Sequence, residues 1–159
     1  MGFEELLVDK EKFSSDIVLD LQDFITYFRR VIRKRGYEQI EKVQDNKISP
    51  EGLKTVLLQW QCNKEFDDYH EGKITFKILL LNAKEKKSKE KIVEGNLSLE
   101  VKAILESDRK DIWSNKSWII FLRHFFDKFI QSERKSSLQK ELKEDVSYFL
   151  ESVKRYVSS

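Results

Sequence analysis

The densest run of potential ligand side chains is Asp67-Asp68-Tyr69-His70-Glu71. Carboxylates and an imidazole at this spacing can hold a divalent cation, with Asp108 and Asp111 as further oxygen donors at the same end of the fold. The same residues also make an ordinary charged turn, in which Asp side chains accept hydrogen bonds from nearby backbone amides. The turn is the preferred reading, so Asp67, Asp68 and His70 stand as weak metal candidates only. Cys62, the single cysteine, and either His70 or His124 are of the types that form a nucleophile and its base. Cys62, however, alternates with Val56, Leu58 and Trp60, which reads as a buried structural thiol. His124 falls among Phe121, Phe125 and Phe126, where it packs or meets solvent. The patterns GxGxxG, GxxxxGK[ST], HExxH and GxSxG are all missing. No catalytic residue is assigned, no cofactor is expected, and the chain reads as a non-enzyme.

A basic cluster, Arg29, Arg30, Arg33, Lys34 and Arg35, is the candidate anion site, because forked guanidinium donors suit phosphate. A nucleic-acid partner is an open reading but not the favoured one. Lys and Arg number 30 against 28 Asp and Glu, so the formal net charge of +2 is small for a nucleic-acid binder. A helix C-terminus attracts cations in any case. Only Tyr27 and Tyr37 stand nearby to stack on bases.

Trp118–Ile130 (WIIFLRHFFDKFI) is richer in apolar residues than one helix face requires. Ile119, Leu122, Phe126, Phe129 and Ile130 make a face for packing on a sheet. Trp118, Phe121 and Phe125 form an adjacent aromatic strip, which together with Trp60 is the candidate ligand or partner surface. Such a strip can meet a partner protein or a second copy of the chain, or it can line a pocket with Trp60 and Phe76.

The elements that position these residues follow from periodicity. In KITFKILLLNA (Lys73–Ala83), Ile74, Phe76, Ile78 and Leu80 fall at every second residue, the pattern of a central strand with one buried face. Val56, Leu58, Trp60 and Cys62 alternate in the same way before it, and Leu97, Leu99 and Val101 after it. These three sets are expected on one face, because a one-residue slip would expose a whole set. Tyr37–Ile48, poor in apolar residues, reads as an edge strand protected by its charges. Residues 1–14 read as a short lead-in. Residues 16–35 read as a helix that starts acidic, ends basic and stops at Gly36. After a polar break at 131–137, with Ser136 and Gln139 as a capping box, Leu138 to Tyr156 gives a final amphipathic helix. The expected fold is α+β and a single domain over 1–159: a four-stranded antiparallel meander covered on one face by an N-terminal helix and two C-terminal helices.

Hydrophobic residues make up 40% of the 159, enough for one core. The N-terminus MGFEELLVDKEKF is acidic where a secretory signal is basic, no apolar run is long enough to span a bilayer, and a lone cysteine suits a reducing compartment. The expected location is the cytoplasm. The reading of function is a non-catalytic binding or protein-interaction domain of unknown partner. The alternatives are a small-molecule or lipid carrier with an apolar pocket between sheet and helices, and a phosphate or nucleic-acid binder acting through the basic cluster.

Overall fold

The computed structural model describes residues 3–67, 69–85, 92–107 and 132–158. Their elements in chain order are β1 (Phe3–Asp20), α1 (Leu21–Lys34), β2 (Glu38–Ile48), β3 (Lys54–Glu65), β4 (His70–Glu85), β5 (Ile92–Ser107) and α2 (Ser132–Ser158). The strands form one antiparallel sheet in the order β1-β5-β4-β3-β2. The class is α+β as expected, with five strands rather than four and with two helices among the described residues. The segment 118–130, expected as a further helix, lies outside them.

The extra strand is β1, where a lead-in and the start of a helix are expected from sequence. Ile17 and Leu19 are buried, with exposed Asp16 and Val18 beside them. The spacing from Ile17 to Leu21 fits both periods: four residues make one helical turn, or two steps along a strand. Pairing with β5, from Phe3 opposite Ser107 to Asp20 opposite Ile92, selects the strand. The pairing shifts register between Leu6 and Val8 and again before Glu11, and Lys10 sits in the left-handed region with φ of 51°. Asp20 then starts the helix: its Oδ1 accepts from the amides of Gln22 (3.0 Å) and Asp23 (3.3 Å). At the other end Gly36, with φ of 88°, lets the chain turn so that its amide reaches the Arg33 carbonyl at 2.9 Å.

β4 is the middle strand and its register is the expected one. Phe76 stands opposite Trp60 on one side and Val101 on the other, and Ile78 stands between Leu58 and Leu99. All six are buried on the face that α1 and α2 cover. Phe28 of α1 lies over this face, its ring 5.0 Å from Phe76 and 5.7 Å from Trp60, and Phe149 of α2 approaches Phe76 at 5.8 Å. Trp60 is therefore 0% exposed. Trp60 is the one member of the expected ligand or partner surface among the described residues, and α1 covers the strand face it shares with Leu58 and Cys62. β2 is an edge strand as expected, with almost every side chain exposed.

α2 begins at Ser132, so residues 132–137 are helical rather than a break. The stretch SERKSS is polar but holds neither Gly nor Pro, and nothing in it terminates a helix. The expected capping pair is not used as a cap, and Gln139 instead donates to Glu5 at 2.7 Å.

Candidate ligand-binding cavity

α1 buries Phe24, Phe28, Val31 and Ile32, with the Phe28 ring against Trp60 and Phe76 of the sheet and Phe24 against Tyr156 of α2. The first two turns of α1 stand over the ends of β2, β3, β4 and β5 and leave a cavity of about 720 Å³. Val56, Leu58, Leu80, Ala83 and Val93 supply apolar walls from the sheet, and Leu21 and Ile25 face them from the helix. Gln44, Asn46 and Ile48 come from the inner face of β2, because they pair with Leu58, Val56 and Lys54. Lys47 borders the cavity but alternates to the other face, where its amine lies 3.9 Å from Asp45.

The charged groups at the mouth are already engaged. Lys54 Nζ donates to Glu85 Oε1 at 2.7 Å, and this bond holds the Glu85 carboxyl below its usual range. Asp20 is the helix cap. Asp23 Oδ2 accepts from the Tyr156 hydroxyl of α2, whose phenol is pushed up to about 12 by desolvation and by that carboxylate. The one hydroxyl in the lining, that of Thr26, donates to the Gln22 carbonyl at 2.9 Å. Trp60 and Phe76, expected to line a pocket, are not part of this cavity. They lie fully buried beneath the helix.

The other sequence candidates separate. Asp67 acts as a turn residue: its Oδ1 accepts from the amides of Tyr69 (2.8 Å) and His70 (2.7 Å) and lies 3.1 Å from His70 Nδ1. Its other oxygen accepts from Arg134 Nε at 3.3 Å, which ties the start of α2 to the β3–β4 turn. Among the described residues no group of three or more His, Cys, Asp and Glu is placed to hold a metal ion. Asp68 lies outside them. Burial by itself raises the Asp67 carboxyl, but the two amides and the His70 ring outweigh it and the group sits below the usual aspartate range. Its stabilisation is therefore complete above the ordinary aspartate pKa and is lost as pH falls through the lower folded value. Asp67→Ala is expected to cost about 1–3 kcal/mol at neutral pH, because it leaves the buried His70 ring without its partner. The variant should also lose part of the acid-side slope of stability, checked by urea unfolding at several pH values.

The basic cluster divides by helix phase. Arg29 stacks over the Trp60 ring at 5.3 Å and lies 4.0 Å from Glu41. Arg35 donates to Asp145 at 3.3 Å and covers the Tyr148 ring at 3.9 Å. Both serve the fold, although Arg35, like Arg30, Arg33 and Lys34, is exposed. Cys62 is 0% exposed and burial pushes its thiol up to about 12, so it is the inert core thiol expected. Trp118, Phe121, Phe125, His124, Asp108 and Asp111 lie outside the described residues.

Two groups of residues are not among the sequence candidates. The cavity is one. The other is Asp145, 2% exposed, whose Oδ2 accepts from Tyr37 Oη at 2.7 Å and lies 3.8 Å from Lys64. Its sequence signal was an acid set between Leu142, Val146 and Phe149 on the inner stripe of α2.

No family model matches the chain, and no curated protein matches it. No described helix is long and apolar enough to cross a membrane.

Proposed function

We propose that this chain is a non-catalytic binding domain that carries a small amphipathic molecule between α1 and the ends of the strands. The observation that supports this reading is the cavity itself. Its volume of about 720 Å³ falls inside the roughly 300–1,000 Å³ of small-molecule sites, and its apolar walls open on a polar mouth, the usual division of labour in such sites. A carrier fits better than an enzyme because the hydroxyl and carboxylates of the lining are tied up in structural bonds.

Titration with the neutral fluorescent probe N-phenyl-1-naphthylamine tests the reading. Saturable binding is expected, and Val56→Trp, which places an indole in the cavity, should weaken it by about tenfold or more with the thermal midpoint little changed. Absence of saturable binding, or full binding by the variant, overturns the proposal.

A further inference from the structure

Resting on the carrier reading, we infer that the cavity selects an uncharged ligand: an apolar body ending in a hydroxyl or amide, held by the side-chain amides of Gln44 and Asn46. Both residues lie on the inner face of β2, opposite Leu58 and Val56 of the apolar floor. Neither side chain has a hydrogen-bond partner among the described residues. Each offers both a donor and an acceptor, the requirement for binding a hydroxyl, which is itself donor and acceptor.

The charges around them disfavour an ionised head. Lys54 and Glu85 neutralise one another at 2.7 Å. Asp20 is committed to the helix cap and Asp23 to Tyr156. An incoming carboxylate would meet these acids with Lys54, the inner-face cation among the described lining residues, already paired. An incoming ammonium would have to share the carboxylates with the cap amides on Asp20, the Tyr156 hydroxyl on Asp23 and the Lys54 amine on Glu85. A neutral polar head requires no such exchange and escapes the cost of desolvating a charge. Next to the amides, Ile48 is 68% exposed at the mouth, an apolar side chain for the ligand's body to cover.

Competition against bound N-phenyl-1-naphthylamine with three molecules of equal chain length, 1-dodecanol, dodecanoate and dodecylamine, tests the inference. Dodecanol is expected to displace the probe at the lowest concentration. Gln44→Leu combined with Asn46→Leu should weaken dodecanol by about tenfold, the loss of one or two neutral hydrogen bonds, once the competition is corrected for the probe's own affinity measured on the same variant. If dodecanoate or dodecylamine competes better, if none of the three competes, or if the double variant holds dodecanol as well as the parent, the choice of head group is wrong while the cavity stands. If the probe itself never binds, the carrier reading falls and this inference with it.

Discussion

Phe76→Ala is expected to lower the stability of the protein by about 3–5 kcal/mol, the cost of removing a large aromatic ring from a closed core. Phe76 is 0% exposed on the middle strand, and the rings of Phe28 and Phe149 meet it from the two helices. The cavity left by truncation would sit where α1, α2 and the sheet converge, so none of the three can collapse into it without breaking its other contacts. Urea unfolding should show a lower midpoint with the slope retained. Thr75→Ala, one residue away on the opposite face, is the control and should cost less than about 1 kcal/mol. Equal losses at the two positions would mean that the covered face is not the core.

The second large effect belongs to Asp145. Asp145→Ala removes the acceptor of the Tyr37 hydroxyl and a partner of Arg35 and Lys64, and is expected to cost about 3 kcal/mol. The loss stays at the low end because Arg35 is 42% exposed and can return to water, while Lys64 keeps Glu141 at 3.3 Å. Tyr37, 3% exposed, is the group left stranded. Burial pushes the Asp145 carboxyl up, against the pull of Tyr37, Lys64 and Arg35, and Glu141 adds to the rise. The folded protein thus holds this proton more tightly than the unfolded chain does. The resulting stabilisation is complete below the ordinary aspartate value of 3.8 and fades as pH rises through the folded value. Asp145→Asn cannot ionise, so its stability relative to the parent should improve as pH is raised through that window and then level off. This is the opposite direction to the acid-side loss at Asp67, and unfolding curves for the two variants across pH separate the two groups. A relative stability of Asp145→Asn that does not change with pH would remove the argument for a raised carboxyl.

Much of the sheet was legible because alternation is a local signal. Trp60, Phe76 and Leu99 could be placed on one face from their spacing alone, and the register agrees. β1 was not legible. Its charged stretch around Lys10 carries little alternation, and what orders it is β5, a partner far along the chain that no local pattern reveals. Helix phase explains the basic cluster: Arg29 and Arg30 are neighbours in sequence, yet a turn of about 100° per residue sends one over Trp60 and the other to solvent. The candidate cavity was hidden for a geometric reason. Its walls come from both helix and strands, and no single element carries a pattern that announces empty space between them.

The pairing of β1 with β5 also sets the order of events during synthesis. As the chain leaves the ribosome, β2, β3 and β4 emerge in sequence and each can dock on its predecessor. β1 is made before the other described strands, yet its neighbour is β5, the last of them in the chain, so Phe3 must wait until Ser107 has cleared the exit tunnel. Until then the first twenty residues have no edge to join, and α1, which follows them directly, has one anchor fewer. β1 is thus exposed to chaperones and proteases until β5 has been made. Closure over so long a loop is entropically costly, which places this step late and makes it slow relative to hairpin formation. Ribosome-stalled chains ending before β5 should carry a protease-sensitive β1 that becomes protected only once β5 is free to pair.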